Sequence, residues 1–325
     1  MKALICEAFG PIENQQLKDV PSPKPGPGQL LVQVKSAGVN FPDALMVQGK
    51  YQVKPPFPFS AGGEISGIVI GLGEGVTGFA VGDRVMALVS TGGFAEECLA
   101  QASRTLPLPQ GMDFDTGAAL MLTYCTSLHA LKDVADMQPG ETLVVLGAAG
   151  GVGVSAIEIG KAMGARVIAA ASSEEKLAVC RQVGADDTIN YSTENLKDRI
   201  NELTDGKGAD VVYDPVGGSY TEQALRAIKW RGKLLVIGFA AGDIPRIPLN
   251  LALLKERQIL GVYWGDSTKH DPEGHQANLR QLENWFVQGR IKPLVSERFP
   301  LEHAKEAILL IANRGVKGKI VVVND

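Results

Sequence analysis

The second half of the chain alternates short apolar runs with helix-like segments, and this alternation constrains the fold more than any other feature. The apolar runs are TLVVLG, which begins at Thr142, then RVIAAAS, DTINY, DVVYDPV, KLLVIGF and QILGVYW. Between them lie helix-like segments such as EEKLAVCRQVG and SYTEQALRAIKW. Strands that read as continuous apolar runs are buried on both faces, as in a parallel sheet covered by helices. The pattern therefore predicts an α/β fold with a doubly wound parallel sheet.

The first part of the chain has a different character. Short β-like runs, among them LLVQVKSAGV and EISGIVIGLG, are separated by Gly- and Pro-rich segments such as PSPKPGPGQ. This spacing predicts a small barrel or sandwich, which gives way to the alternating pattern near Met121. After Trp264 a polar stretch, GDSTKHDPEGHQ, precedes the helix-like segment ANLRQLENWFVQG.

A glycine-rich turn follows the first apolar run, in the segment LGAAGGVG. A nucleotide-binding turn needs glycines because the backbone must approach a pyrophosphate and the helix amides must face it. The pattern here is Ala148-x-Gly150-x-x-Gly153, in which Ala148 takes the place of the usual first glycine. The alternative is a sharp turn without a ligand, but the strand before it and the helix after it favour a dinucleotide site. The predicted contacts are Ala148, Ala149, Gly150, Gly151, Val152 and Gly153.

The second apolar run ends without the acid that NAD-specific sites place there to bind the ribose 2′-hydroxyl. This chain has Ala171 at that position. The residues that follow Ala171 are Ser172, Ser173 and Lys176, and Tyr191 is the last residue of the third run. Hydroxyl donors and a positive charge suit a 2′-phosphate. The alternative is that SSEEK only begins a helix with a serine cap, and the two roles are compatible. The sequence therefore predicts NADPH rather than NADH.

Composition excludes several classes of partner. The 325-residue chain has a formal net charge of −4 and an isoelectric point near 5.7, so a nucleic-acid or anionic-membrane partner is not expected. No stretch is long and apolar enough for a membrane span, and the first residues lack the pattern of a signal peptide. The four cysteines are scattered without Cys-x-x-Cys spacing, so neither disulfides nor a thiolate metal site is expected. We expect a cytoplasmic protein.

Several motifs taken together resemble one family. They are AGVNFPD, SAGGEISGIV, VGDRV, GGFAEE, LTYCTSLHAL, GAAGGVG, INY, DVVYDPVGG, LLKERQILGVYWG and GKIVV. The chain thereby resembles the zinc-free quinone oxidoreductase (zeta-crystallin-like) branch of the medium-chain dehydrogenase/reductase superfamily. The resemblance implies a GroES-like β-rich catalytic domain made of residues 1–121 and 265–325, in which a Rossmann NADPH-binding domain, residues 122–264, is inserted. It also implies an active cleft where the two domains meet, and a homodimer or tetramer joined through QILGVYW, of which we expect the homodimer.

The resemblance also bears on zinc. The catalytic zinc ligands of the superfamily's zinc alcohol dehydrogenases align with Asn40, Gly63 and a position near Leu122, none of which is a usual zinc ligand. The structural zinc lobe, with its four cysteines, has no counterpart, and the histidines show no metal spacing. We therefore expect no metal and, without a Lewis acid to hold an alkoxide, no alcohol oxidation. An activated electrophile, a quinone or an enone, is the expected substrate.

The resemblance places polar residues of NFPDALMVQGKY in the catalytic cleft. Asn40 would donate to a substrate carbonyl as negative charge develops, and Tyr51 would do the same or deliver a proton. Asp43 would orient its neighbours. The alternative for Asn40 and Asp43 is that both serve only as local backbone caps. Thr126 lies where the family contacts the nicotinamide amide, and a helix-interior threonine is the alternative.

Further cofactor contacts are expected where the last strands end, because ligands bind at the carboxyl edge of open α/β sheets. These residues are Gly238, Phe239 and Ala240 at the end of the fifth run, and Tyr263 and Trp264 at the end of the sixth. Tyr263 and Trp264 either wall the nicotinamide end or pack between domains. Lys317, near the end of the chain, either reaches the cofactor or is solvated.

The predicted function is zinc-independent, NADPH-dependent reduction of quinones. One alternative is reduction of the C=C bond of enones or 2-enoyl thioesters, for which Tyr51 would donate the proton. The other is a non-catalytic, crystallin-like NADPH-binding role. The expected mechanism is mainly positioning, since the nicotinamide supplies the hydride and orientation lowers the barrier. The physiological acceptor, the proton donor and the choice between one- and two-electron reduction stay open.

Overall fold

The computed structural model describes residues 1–324, which form two compact units. The first unit comprises Met1–Leu122 and residues 293–324, and the second comprises Thr123–Lys292. Residues 265–292, which the sequence assigns to the catalytic domain, belong by their contacts to the second unit. As limits of functional domains, 1–121 with 265–325 and 122–264 stay a prediction.

Strands and helices account for most of both units. The strands are β1 (Lys2–Cys6), β2 (Gln16–Asp19), β3 (Gln29–Val39), β4 (Phe59–Ser60), β5 (Glu64–Leu72), β6 (Arg84–Leu88), β7 (Glu97–Gln101), β8 (Thr105–Pro107), β9 (Thr142–Leu146), β10 (Arg166–Ala171), β11 (Asp187–Asn190), β12 (Ala209–Asp214), β13 (Ile228–Val236), β14 (Gln258–Gly261), β15 (Val295–Pro300) and β16 (Lys319–Val323). The helices are α1 (Phe41–Val47), α2 (Phe114–Leu128), α3 (Gly151–Ala162), α4 (Glu174–Gln182), α5 (Leu196–Leu203), α6 (Gly218–Arg226), α7 (Asn250–Leu253), α8 (Trp264–His270), α9 (Pro272–Val287) and α10 (Ala304–Ala312). Short 3₁₀ segments are Ile12–Asn14, Ala102–Arg104 and Leu301–His303, and π-helical His129–Val134 continues α2. Within residues 1–324, no helix combines the length and the apolar character that crossing a membrane requires.

The first unit is built on a seven-stranded sheet in the order β15-β16-β3-β5-β6-β8, with β7 also paired to β3. A smaller sheet has the order β2-β1-β4. Every pairing is antiparallel except that of β15 with β16. In strand β3, Leu30, Val32 and Val34 are fully buried while the intervening Gln33 is exposed. This period of two places one face of the strand on a core. The predicted β-rich unit is present.

The second unit contains a six-stranded parallel sheet in the order β11-β10-β9-β12-β13-β14. Residues 143–146 of β9 are completely buried, as expected for a central strand covered by helices on both faces. Chain order reverses between β9 and β12, so the loops after these strands diverge and leave a crevice at the carboxyl edge. The six apolar runs seen in the sequence all supply strands, and the doubly wound fold is confirmed.

Helix α6 ends earlier than the sequence pattern indicates. The segment SYTEQALRAIKW predicts a helix that reaches Trp230, but the helix ends at Arg226 and β13 begins at Ile228. Ile228 is fully buried and pairs with Ala209 of β12. The sheet pairing therefore takes precedence over the helical pattern of this segment.

The polar stretch after Trp264 forms α8 and the start of α9, neither of which the sequence predicts. Asp271 caps α9, because its Oδ1 accepts the Gly274 N–H at 2.9 Å and Pro272 occupies the first turn. Helix α9 is fixed to the second unit through Asn278, which accepts from Lys132 Nζ at 2.7 Å and donates to Asp133 Oδ2 at 2.7 Å. These bonds explain why residues 265–292 pack with the second unit.

Candidate active site

The glycine turn after β9 is closed by a left-handed residue. Gly147 has a φ of +56°, and its carbonyl accepts the Gly150 N–H at 3.0 Å. Ala148, where the usual pattern has glycine, has no positive φ and is fully buried. The requirement for a glycine thus falls one position earlier, which explains how the turn tolerates Ala148.

The turn leads directly into α3, whose first residues supply free amides. A Cβ on Gly153 would lie 2.5 Å from the Gly147 carbonyl oxygen, so only glycine allows this close packing of helix and turn. Helix geometry leaves the N–H groups of Gly151, Val152 and Gly153 without intrahelical acceptors. These amides and the helix dipole favour an anion, so the predicted residues 148–153 form one continuous cradle that suits a pyrophosphate.

The end of β10 carries donors and no acid. Ala171 is buried, and the half-buried Ser172, Ser173 and Lys176 follow it. Ser173 caps α4 by accepting the Lys176 N–H at 3.4 Å, while Lys176 Nζ lies 3.5 Å from Ser172 Oγ. The capping role and a cluster of two hydroxyls with one ammonium group therefore occur together, and this set of donors suits a dianion.

Tyr191 lies beside this cluster in the sheet. Its backbone N–H donates to the Ala171 carbonyl at 3.1 Å, which joins the ends of β10 and β11. Its ring, half-buried, packs against Tyr220 of α6 with the ring centroids 4.5 Å apart. An aromatic wall therefore stands next to the serine and lysine donors.

Asp214, at the end of β12, was not singled out from the sequence, although it begins the segment DPVGG. It is buried, and its carboxylate accepts the N–H groups of Val216 at 2.8 Å and Gly217 at 2.9 Å, and the Thr221 hydroxyl at 2.6 Å. Burial raises the pKa of Asp214, and these hydrogen bonds oppose the rise. Asp214 therefore organises the turn that faces the glycine cradle across the crevice.

The turn after β13 is attached to this one. Ala240 N–H donates to the Pro215 carbonyl at 3.0 Å, and Gly238 N–H to the Asp214 carbonyl at 3.4 Å. The Phe239 ring approaches so closely that a Cβ on Gly217 would lie 2.9 Å from it. The predicted contacts Gly238, Phe239 and Ala240 therefore share the carboxyl edge with the cradle.

The remaining predicted cofactor residues lie on other elements of the second unit. Thr126 is half-buried on α2. Tyr263 is 58% exposed after β14, two strands beyond β12 in the sheet. Trp264 is buried and packs against His275, with ring centroids 5.8 Å apart. Trp264 therefore packs within the second unit, and its contact with the cofactor stays a prediction.

The predicted catalytic residues lie in the first unit, where Asn40 belongs to a buried polar network. Asn40 Oδ1 accepts from Lys319 Nζ at 2.6 Å, and Lys319 also bonds Glu64 Oε2 at 3.0 Å. Asn40 Nδ2 donates to the Gly38 carbonyl and to Glu64 Oε2, both at 3.2 Å. All three side chains are at most 4% exposed. Sequence reasoning missed Lys319, which comes from the far end of the chain in the segment GKIVV.

Asp43 is a backbone partner at the start of α1. Its carboxylate accepts the N–H groups of Asn40 at 2.8 Å and Gly62 at 3.1 Å. Burial raises the pKa of Asp43 to about 6, and the rise is opposed by these hydrogen bonds and by the charge of Lys319. Asp43 thus joins α1 to the loop before β5, and its orienting role in catalysis stays a prediction.

Tyr51 is half-buried in the loop after α1 and packs against the core of the first unit. Residues 1–324 contain no group of three or more His, Cys, Asp and Glu side chains placed to hold a metal ion. At the positions aligned with zinc ligands, the structure has the hydrogen-bonded Asn40 amide, Gly63 and the half-buried Leu122.

Comparison with known proteins identifies the family. The alcohol dehydrogenase GroES-like domain family matches residues 26–110, and the zinc-binding dehydrogenase family matches residues 151–281. The quinone oxidoreductase-like protein 2 homolog of Nematostella vectensis is 41% identical over 300 residues, which cover 91% of this chain and 82% of that protein. The chain belongs to the quinone oxidoreductase branch of the medium-chain dehydrogenase/reductase superfamily.

Other members of the quinone oxidoreductase branch match along their whole length. The quinone oxidoreductase of Pseudomonas aeruginosa is 35% identical over 328 residues and 99% of both chains. The crystal structure of Escherichia coli quinone oxidoreductase complexed with NADPH superposes with a TM-score of 0.92 at 27% identity, covering 100% of both chains. The family resemblance and the predicted pair of GroES-like and Rossmann folds are thereby confirmed, and the protein is an oxidoreductase of this superfamily.

Proposed function

We propose that this protein is an NADPH-dependent quinone reductase that works without zinc. The observation that carries the proposal is the carboxyl edge of the parallel sheet, where a glycine cradle is followed by a strand end with donors and no acid. The relatives support it: the Pseudomonas aeruginosa protein is a quinone oxidoreductase, and the Escherichia coli enzyme was crystallised with NADPH.

The residues present suit NADPH. The amides of Gly151, Val152 and Gly153 would bind the pyrophosphate, and the packing of Gly153 against the turn leaves no room for a side chain there. Ser172 and Lys176 would bind the 2′-phosphate. When bound, NADPH supplies the hydride from its nicotinamide ring.

The proposed preference for NADPH over NADH follows from the charges at and just after the end of β10. A carboxylate at the end of β10 would bind the ribose 2′-hydroxyl of NADH and repel a 2′-phosphate. Ala171 removes that repulsion, and the ammonium group of Lys176 adds attraction a few residues later. The chain therefore favours the phosphorylated nucleotide on both counts.

Tyr51 is the proposed donor to the acceptor oxygen. Asn40 is less suited, because both hydrogens of its Nδ2 already have protein acceptors, Gly38 and Glu64. A substrate that bound the Asn40 amide would have to displace one of those bonds. Asn40 would then shape the polar wall of the site with Lys319 and Glu64.

Independence from zinc is supported by the chemistry of the aligned positions. Asn40 Oδ1 is occupied by the Lys319 ammonium group at 2.6 Å, which a metal ion would have to displace. Gly63 has no side chain, and Leu122 is apolar. A catalytic zinc normally takes three protein ligands, so this set does not supply them.

The deciding experiment is the oxidation of NADPH, followed by its absorbance, with a panel of quinones, enones and 2-enoyl thioesters. We expect turnover with quinones and a higher kcat/KM with NADPH than with NADH. Preference for enones or enoyl thioesters would favour the alternative in which Tyr51 protonates carbon. Tight NADPH binding without turnover on any acceptor would favour a crystallin-like role, and absence of NADPH binding would refute the proposal.

The proposed assembly is a cytoplasmic homodimer joined along β14. This strand lies at the end of the six-stranded sheet and pairs with β13. Gln258, Ile259 and Gly261 of this strand are exposed. An exposed strand edge is a surface on which a second copy can continue the sheet.

A further inference from the structure

Three buried hydroxyl groups form a chain inside the second unit, beneath the glycine cradle. The Tyr213 hydroxyl lies 2.9 Å from Ser127 Oγ, and Ser127 Oγ lies 2.8 Å from Ser155 Oγ. Ser155 Oγ lies 3.1 Å from the carbonyl oxygen of Thr123. All three hydroxyl side chains are fully buried. The chain thus connects β12, α2 and α3.

Each hydroxyl hydrogen of these groups has an acceptor within the protein. Each hydroxyl has one hydrogen to donate and accepts through its oxygen. Tyr213 donates to Ser127, Ser127 donates onward to Ser155 or to the Val152 carbonyl at 3.2 Å, and Ser155 donates to a carbonyl. Every hydrogen is therefore used within the protein. A satisfied buried network of this kind makes its surroundings rigid.

The position of the network connects it to the cradle. The Val152 carbonyl oxygen lies within hydrogen-bonding distance of both Ser127 Oγ and Ser155 Oγ, at 3.2 Å and 3.1 Å, and Val152 belongs to the first turn of α3. That turn carries the free amides described above. Tyr213 lies on β12, which pairs with β9 at the crevice. The hydroxyls therefore hold the anion-binding turn to both neighbouring elements.

We propose that Ser127 is a positioning residue that orients the first turn of α3, and with it the amides that bind the pyrophosphate. The inference rests on the proposed NADPH binding. Ser127 would affect affinity for the pyrophosphate and not for the 2′-phosphate, which is proposed to bind at Ser172 and Lys176. The reason is that Ser127 contacts Val152 and not the end of β10.

The test compares two ligands in three variants. NADPH uses both the pyrophosphate and the 2′-phosphate sites, whereas adenosine 2′-monophosphate has no pyrophosphate. Ser127→Ala removes the central hydroxyl, and Tyr213→Phe removes only the end of the chain. Thr204→Val is the matched control, because it also removes one buried hydroxyl group that donates a hydrogen bond, in this case to the Ile200 carbonyl at 2.7 Å. Thr204 follows the end of α5, where the chain leads toward the opposite edge of the sheet.

We expect Ser127→Ala to weaken NADPH about five- to tenfold and Tyr213→Phe about two- to threefold, the range of one buried hydrogen bond. Both should change affinity for adenosine 2′-monophosphate by less than about twofold, and Thr204→Val should leave both ligands unaffected even if it lowers the unfolding midpoint. Unchanged NADPH affinity, or equal weakening of the two ligands, would overturn the proposal. If Ser127→Ala does not fold, Tyr213→Phe decides by the same criteria. Failure of the wild type to bind NADPH would instead overturn the proposed function.

Discussion

The left-handed backbone of Gly147 decides how the neighbouring positions can vary. An L-residue with a side chain pays an energetic penalty at a φ of +56°, and a Cβ there would also lie 2.8 Å from Val216. Ala148 is free of that constraint because its own φ is not positive. A comparison with the usual glycine motif therefore reports Ala148 as a departure, although the backbone at Ala148 does not require glycine.

A prediction at the residue scale concerns Ala171. Ala171→Asp places a carboxylate beside the proposed 2′-phosphate site, so we expect NADPH affinity to fall at least about tenfold by like-charge repulsion. We expect no loss of NADH affinity, because the carboxylate can accept a hydrogen bond from the ribose 2′-hydroxyl. Fluorescence titration of both nucleotides measures it. Ala171→Asn is the control for size and polarity, since this position is buried. Equal NADPH affinity in the Asp and Asn variants would mean that the 2′-phosphate binds elsewhere.

Helices α2 and α3 are joined by a second polar contact, between the Tyr124 hydroxyl and Glu158. Glu158 Oε1 also accepts the Lys292 N–H at 3.1 Å. Burial raises the pKa of Glu158 to about 7, and the hydrogen bonds from Tyr124 and Lys292 oppose the rise. The same burial raises the pKa of Tyr124. These two helices thus meet through a carboxyl group that is harder to ionise than usual.

This contact predicts a pH dependence of stability. The pKa of Glu158 rises on folding from 4.5 to about 7, so its favourable contribution is complete below pH 4.5 and is lost as pH rises through 7. At about 1.4 kcal/mol per pKa unit, the loss is on the order of 3 kcal/mol. Glu158→Gln should reduce this slope in urea unfolding measured from pH 5 to 8. Asp43, whose raised pKa acts in the same direction, leaves part of the slope in place.

The control for this prediction is the same substitution at Glu283, an exposed residue of α9. We expect Glu283→Gln to keep the slope of the wild type. A slope that is equally steep in Glu158→Gln would show that the buried carboxyl group is not its source.

Elements with strong internal patterns were predictable from the sequence. The strands of the second unit are continuous apolar runs, and burial on both faces admits few alternatives. The end of α6 was not predictable, because Ile228 fits the helical pattern of the sequence. It lies in a strand because it pairs with Ala209, a contact between distant segments that the local sequence does not show. Helix α9 begins in a polar stretch whose start depends on one aspartate cap, a weak local signal.

At the scale of the whole molecule, the polar network around Asn40 depends on contacts between distant segments. Antiparallel pairing sets Ile320 opposite Val39, and this register brings Lys319 to Asn40 and Glu64. The sequence drew attention to Lys317, which precedes β16, whereas Lys319, the first residue of that strand, is the lysine that enters the core. Removing one partner from a buried ion pair is strongly destabilising, so Lys319 and Glu64 depend on each other.

Metal content is a prediction for the whole protein. We expect elemental analysis of the purified protein to find less than about 0.1 zinc per chain, because the aligned positions lack three ligands. Quinone reduction should also be unaffected by a chelator. One zinc per chain that survives dialysis, together with loss of activity on chelation, would contradict the proposal that the enzyme works without zinc.

The insertion of β16 between β15 and β3 has a consequence for biosynthesis. The second unit is one continuous segment, so it can fold before residues 319–323 are synthesised. The first unit cannot complete its sheet until residues 319–323 leave the exit tunnel, although its opening strands were made first. Until then residues 36–39 of β3, which pair with β16, lack a strand partner on that side, and an unpaired strand edge favours aggregation.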